Sequence, residues 1–317
     1  MPITYGSVCS GIEAATVAWH PLGWRAAWYA EIEPFPSAVL AHHYPDTPNH
    51  GDMTRLAAMV LSGKIPAPEV LVGGTPCQAF SVAGMREGLN DPRGALTIKY
   101  VELLDAIDHV RTKRGEPETT CLWENVPGVL SDKGNAFGCF LGALVGESEE
   151  LQPPGGKWKD AGCVYGPTRT VAWRVLDAQY FGLAQRRRRV FVVASARAGF
   201  DPLEVLFERE GTRRDSPPRR PEKFALHPTL TAQGACSLDD REAYVLESAG
   251  VRRTTPVEWE RCLGFPDNYT MIPYRNKPPR QCPDGPRYKA LGNSKAIPII
   301  QWIGQRIGIQ LGCGPLL

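Results

Sequence analysis

Val70-Leu71-Val72-Gly73-Gly74-Thr75-Pro76-Cys77-Gln78 is the stretch from which the fold is read. Val70 to Val72 is too short for a helix and reads as a fully buried strand. Gly73 and Gly74 let the backbone turn at the strand's carboxyl end, the edge where open α/β sheets place their ligands. Pro76 lacks an N–H and fixes φ, so Cys77 is presented from a stiff turn. The segment Gln78 to Gly88 reads as a glycine-bearing loop able to close over a site. Taken alone, the stretch fits a structural cysteine equally well, because a lone Cys is most often simply buried.

Working outward, Thr4 to Glu13 reads as a strand that turns into a helix, Glu13 to Trp19, through Gly11. A strand, a glycine turn and a helix N-terminus suit a nucleotide-like ligand, since backbone N–H groups point outward there. A second strand, Arg25 to Ile32, carries Glu31 at its end, about 20 residues past the glycine turn, where an acid accepts from ribose hydroxyls. Helix Pro34 to His43 follows. Asp52 then either caps a helix over Thr54 to Leu61 or accepts from an adenine amino group, and the two roles are compatible.

Beyond the Cys77 loop, a helix runs from Asp91-Pro92-Arg93-Gly94 to Lys113, and Thr119 to Val126 forms another strand. This strand brings Glu124 and Asn125 to the same edge as Cys77. Trp123 and Val126 suggest burial of Glu124, which would raise its pKa; the alternative is a surface acid in a salt bridge. Gly146 to Thr168 is polar and rich in Gly and Pro, and reads as a surface excursion. Val171 to Tyr180 and Val190 to Ala194 return as strands around Gln185-Arg186-Arg187-Arg188-Arg189. In an extended segment Arg187 and Arg189 share one side and Arg186 and Arg188 the other. One pair can then face a cleft while the other meets phosphates.

Composition sets the outer bounds. The chain has 317 residues, 43% of them apolar, enough for one large domain or for a large and a small one. No run reaches transmembrane length, and Met1-Pro2-Ile3-Thr4 leads directly into a strand with no signal peptide. Nine cysteines, none in a C-x-x-C pair, argue against a disulfide framework or a zinc site and fit a reducing cytoplasm. A net charge of +2 leaves nucleic-acid binding to local clusters. Arg209 to Lys223 is such a cluster, with six Lys or Arg against three acids around Ser216-Pro217-Pro218. His227 to Ala232 reads as a short strand and Gly234 to Asp240 as a loop. Thr255-Pro256-Val257-Glu258 opens a helix with a capping box and closes it at Gly264. Gly292-Asn293-Ser294-Lys295-Ala296-Ile297-Pro298 reads as the opening of the last helix.

Pro76-Cys77-Gln78, Glu124-Asn125-Val126, Gln185-x-Arg187-x-Arg189 and Gly292-Asn293-Ser294 stand in the order of the DNA cytosine-C5 methyltransferases. The chain resembles that family from Tyr5 to about Ile309 and thins out between Ala198 and Arg252. The resemblance implies a Rossmann-like, S-adenosylmethionine-dependent methyltransferase fold: α/β, doubly wound, with a mostly parallel sheet. It divides the chain into a catalytic and cofactor-binding domain, 1–197, a target-recognition region, 198–284, and a C-terminal helix, 285–317, that completes the catalytic domain. It places S-adenosyl-L-methionine against Cys9, Ser10, Gly11, Ile12, Glu31, Ile32, Asp52, Met53, Leu96, Asn293, Ser294 and Lys295.

The implied substrate is duplex DNA, with no membrane partner. The implied protein is a monomer of the bacterial or phage cytoplasm, with a companion restriction nuclease as a further partner. Cys77 would add to C6 of a flipped-out cytosine and Glu124 would protonate N3. Arg189, or else Arg187, would polarise O2.

The chain departs from the family in three places. Cys9 stands where an aromatic residue is usual, Glu13-Ala14 where two glycines are, and Lys295 where an apolar residue is. The first shifts the adenine wall toward Ile32 and Met53. The last admits carboxy-S-adenosyl-L-methionine as cofactor, with a carboxymethyl group transferred. A tRNA cytosine is the alternative substrate within the family, and a DNA-binding protein on an inactive scaffold is the alternative outside catalysis.

Overall fold

The computed structural model describes residues 2–75, 94–208, 244–247 and 250–312. Its centre is a mixed seven-stranded sheet of order β2-β1-β3-β4-β7-β6-β5. The strands are β1 (Thr4–Val8), β2 (Arg25–Ala30), β3 (Val70–Gly73), β4 (Thr120–Asn125), β5 (Ala161–Tyr165), β6 (Thr170–Asp177) and β7 (Arg188–Ser195). β2, β1, β3 and β4 run parallel, while β7, β6 and β5 are antiparallel to their neighbours. The parallel half matches the expected doubly wound fold, and the other half is a meander.

Every residue of β3 and β4 is buried, as two-sided central strands require. Val70 and Val72 enter one apolar core together with Tyr5 and Leu122. Leu71 and Trp123 enter a second core on the opposite face. Gly6 is obligatory in β1, because a Cβ there would lie 2.2 Å from the Trp28 indole.

Helices cover both faces: α1 (Ala14–Trp19), α2 (Pro34–His43), α3 (Leu56–Leu61), α4 (Gly94–Lys113), α5 (Ala136–Val145) and α6 (Pro202–Leu206). A separate two-stranded ribbon, β8 (Tyr244–Glu247) with β9 (Gly250–Arg253), precedes α7 (Pro256–Leu263), α8 (Asp284–Asn293) and α9 (Ile297–Gln310). α9 returns to the start of the chain, where the Trp19 indole N–H donates to the Ile300 carbonyl at 2.9 Å. Its buried isoleucines join the same core as β1.

Several sequence expectations shift. β2 ends at Ala30 rather than Ile32, so Glu31 and Ile32 sit on the turn leading to α2. The 146–168 excursion contains β5, a half-exposed edge strand paired with β6. β6 stops at Asp177, where that side chain caps a short 3₁₀ turn over Ala178–Phe181. Gly292 and Asn293 close α8 instead of opening the last helix, which begins only at Ile297. The α7 capping box is as read: Thr255 accepts from the Glu258 N–H, and Glu258 accepts from that of Thr255. Cys77, the basic run 209–223 and the segments 227–232 and 234–240 lie outside the described residues. Among the described residues no helix is long and apolar enough to cross a membrane.

Candidate active site

A cleft of about 1030 Å³ opens at the carboxyl ends of β1 to β4. Order 2-1-3 places the topological switch point between β1 and β3, where such sheets bind ligands. Cys9, Gly11, Glu31, Ile32, Asp52, Met53, Leu96, Glu124, Arg187, Arg189 and Asn293 all line it. Ser10, Ile12, Ser294 and Lys295 are buried beside it instead, and Ile12 belongs to the core with no exposed surface.

The β1 turn alternates in backbone hand. Cys9, Gly11 and Glu13 all have positive φ, of 47°, 60° and 61°. A non-glycine residue in that region is strained by roughly 1–2 kcal/mol. Glu13 offsets the strain by capping α1: its carboxylate accepts from the Thr16 N–H at 3.0 Å and from the Ser7 and Thr16 hydroxyls. It therefore keeps the backbone conformation that the family's glycine would supply. Burial raises its pKa, against those hydrogen bonds.

Glu31 accepts from the Gly11 N–H and the Glu33 N–H, each at 2.7 Å, which ties the β1 turn to the β2 turn. Asn49, not singled out by the sequence reading, clamps the same turn by accepting from Glu31 N and donating to Glu31 O. Ile32 is 73% exposed on the cleft rim, an apolar side chain with no packing of its own. Cys9 points its Sγ at Met53 Sδ, 3.6 Å away, so two sulfurs form the wall where an aromatic ring is usual. Burial pushes the Cys9 thiol up to about 12, which makes it an inert wall residue near neutral pH. Asp52 caps the turn that follows by accepting from Thr54 N at 3.0 Å, and that bond lowers its pKa. Across the cleft Lys289 of α8 pairs with Glu33 at 2.8 Å, and Tyr274 packs edge-on against Phe35.

At the other end of the cleft, Thr75 is held from three sides. It meets the Thr97 hydroxyl at 2.6 Å, its hydroxyl accepts from the Trp123 indole at 3.1 Å, and its carbonyl accepts from Asn125 Nδ2 at 2.8 Å. Thr75 is two residues before Cys77, so this anchor fixes the last described residue ahead of it. Gly74 must be glycine, since a Cβ there would stand 2.8 Å from the Glu124 carbonyl.

Glu124 is 8% exposed. Arg189 Nε lies 3.2 Å from its Oε1, yet off the hydrogen-bonding direction, so that oxygen has no bonded donor. Arg187 is buried; its Nη2 donates to the carbonyls of Gly292 and Ser294, while Nε and Nη1 have no acceptor. Burial, with Arg189 adding, pushes its guanidinium down to about 9, still charged at neutral pH. Arg186 and Arg188 face outward as the alternation requires, and Arg188 pairs with Asp160 at 2.6 Å. Among the described residues no group of His, Cys, Asp or Glu is placed to hold a metal.

The family described as C-5 cytosine-specific DNA methylase matches residues 3–201. The chain belongs to that family. Among individual proteins it is 42% identical over 459 aligned positions to a phage P1 protein named DNA N-6-adenine-methyltransferase, covering 96% of this chain. The chain spans only 61% of that relative's length. It is 26% identical to the Type II methyltransferase M2.BsuMI of Bacillus subtilis, covering 95% of this chain and 74% of that one. Among solved structures it superposes on the S. pombe Dnmt2 methyltransferase with a TM-score of 0.66 at 15% identity, over 98% of each chain. That likeness shows the methyltransferase fold. Membership in turn gives the cleft its family setting, with Glu124 and Arg189 at one end and Glu31 at the other.

Proposed function

We propose that the chain modifies C5 of a flipped-out cytosine in duplex DNA, with Cys77 adding to C6. The observation that carries this reading is the pairing of reserve groups at one cleft wall: an unbonded Glu124 oxygen beside Arg189, and two unbonded Arg187 N–H groups. Buried polar atoms are left without partners where a ligand completes them. C5 of cytosine is a poor nucleophile until a thiolate adds at C6, and a cysteine is the side chain suited to that addition. Glu124 delivers a proton to N3, so negative charge does not accumulate on the ring. Arg189 polarises O2 and holds Glu124; Arg187 braces the Gly292–Ser294 turn against the same wall. The C5 proton leaves to water, as no side chain is assigned to it.

S-adenosyl-L-methionine fits the other end, and its sulfonium supplies the electrophilic carbon. Glu31 would take the ribose, the β1 turn the methionine part, and Ile32 with the Cys9–Met53 pair the adenine. Whether the carbon bears a carboxylate turns on Lys295. Unstacking the base costs a few kcal/mol, to be recovered from phosphate contacts by the outward arginines and the 209–223 run. The protein would act as a monomer in the bacterial or phage cytoplasm. The names of its Type II relatives make a companion nuclease a natural partner.

The adenine specificity named for the phage P1 relative is the second reading, and much of that longer protein lies outside the match. Attack by an exocyclic adenine amine needs no cysteine adduct, so the Cys77 turn favours cytosine. The test is nucleoside analysis of duplex DNA, and separately tRNA, after incubation with cofactor. Modified C5 of DNA cytosine is expected; N6-methyladenine or modified tRNA alone would overturn the reading.

A further inference from the structure

Lys295 is 8% exposed, and its ammonium makes no hydrogen bond or ion pair with any described residue. A lysine side chain buried to that extent ordinarily keeps an anion within reach of its ammonium. Its Cε stands 3.7 Å from the point where a Gly74 Cβ would be, and Glu124 Oε2 stands 3.3 Å from the same point. Its field also reaches the β1 turn, lowering the pKa of Cys9 and of Glu13 against burial, which raises both. Lys295 thus lies between the cofactor turn and the catalytic floor.

Two of the three nearby acids are fully engaged. Glu13 uses both oxygens on Ser7 and Thr16. Glu31 uses both on backbone N–H groups. Glu124 is ion-paired with Arg189, and its unbonded oxygen is the one assigned to the base. No described acid is bonded to Lys295, whose three N–H donors can take an acceptor that the ligand brings.

We propose that Lys295 binds a carboxylate carried on the transferred carbon, so that this chain uses carboxy-S-adenosyl-L-methionine and makes 5-carboxymethylcytosine. This rests on the cytosine-C5 reading and deepens it. The bonds are those of methyl transfer. C5 bonds to the CH₂ carbon, the carbon–sulfur bond breaks with its electron pair going to sulfur, and the C5 proton passes to water as Cys77 leaves. Only the substituent on the carbon differs. An ordinary sulfonium methyl offers Lys295 no acceptor and sets two positive charges near each other.

Calorimetric titration of the full chain distinguishes the sources of the carboxylate. Carboxy-S-adenosyl-L-methionine, S-adenosyl-L-methionine and S-adenosylhomocysteine would each be titrated into wild type, Lys295→Met and Lys295→Arg, with thermal melts to check folding. A charge-assisted bond corresponds to a loss of about 10- to 100-fold in affinity for the carboxylated cofactor in Lys295→Met. Affinity for S-adenosylhomocysteine should barely change, and Lys295→Arg should keep the preference. Equal losses for all three ligands would assign Lys295 to the methionine carboxylate, and no loss would leave it a structural charge; either overturns the proposal. Nucleosides from treated DNA should contain 5-carboxymethylcytosine. Absence of any cytosine product with either cofactor would sink the cytosine reading, while the affinity ratios would still judge Lys295.

Discussion

Arg169 and Arg187 are both almost fully buried, at 2% and 1% exposure, and they are used in opposite ways. Arg169 donates to Asp108 from Nε and Nη2, to Asp105 from Nη2 and to the Leu144 carbonyl from Nη1. Burial alone would lower its pKa, but the two acids outweigh it and the net shift is upward. Arg187 has no acid bonded to it, keeps two groups without acceptors and is pushed down by burial. Arg169 sits where β4 begins, since Asp108 also accepts from Thr119 N, and so marks the edge opposite the cleft. The donors of Arg169 are consumed in folding, and those of Arg187 are partly held in reserve. That difference separates structural from chemical charge more sharply than burial does.

The reserve side should fail in activity rather than in folding. Glu124→Gln retains the volume and one hydrogen bond but cannot deliver a proton, so transfer should fall about 10²–10⁴-fold with an unchanged melt. A fall of less than tenfold in a radiolabel transfer assay would remove Glu124 from the proton step. The consumed side should fail the other way. Asp108→Ala strips the buried Arg169 of its best partner and orphans Thr119 N, costing about 3 kcal/mol in denaturant unfolding. Its cofactor affinity should stay within twofold; a large affinity loss at preserved stability would erase the distinction between the two edges.

A more exposed ion pair calibrates the low end. Arg252 bonds both oxygens of Glu258 at 2.8 Å, and this, with the capping box, holds the Glu258 carboxyl down at about 2. A depressed acid stabilises the fold above its unfolded pKa and loses that share as pH falls through the folded value. Glu258→Gln should therefore cost about 1–2 kcal/mol at pH 7, discounted for its exposure, and the difference from wild type should shrink between about pH 4.5 and 2. A pH-independent difference would mean that the cap, not the charge, is what matters.

Much of the cleft was legible because it rests on local rules. The Val70–Val72 run, the acid just past β2 and the period of two through Arg186–Arg189 each follow from chain geometry. What was not legible depends on distant partners. The Thr75 anchor joins residues 22 and 48 positions away, and nothing in the flanking sequence announces it. β5 was hidden because its Ala-Gly-Cys-Val-Tyr sequence has no polar–apolar alternation and sits in a Gly- and Pro-rich stretch. Gly292 suggested a turn before the last helix but lies in the final turn of the one preceding it. Lys295 was visible as a departure in sequence; only the structure shows that it is buried with no described partner.

The central claim is a covalent bond between Cys77 and a cytosine ring, and a fluorinated substrate tests it most directly. A long duplex with 5-fluorocytosine in place of cytosine would be incubated with the protein and either sulfonium cofactor, then run on a denaturing gel. Fluorine at C5 cannot leave as a proton, so the adduct should persist as a cofactor-dependent protein–DNA band, absent with Cys77→Ser. No band with the wild-type chain, or an equal band with the serine variant, would contradict the account.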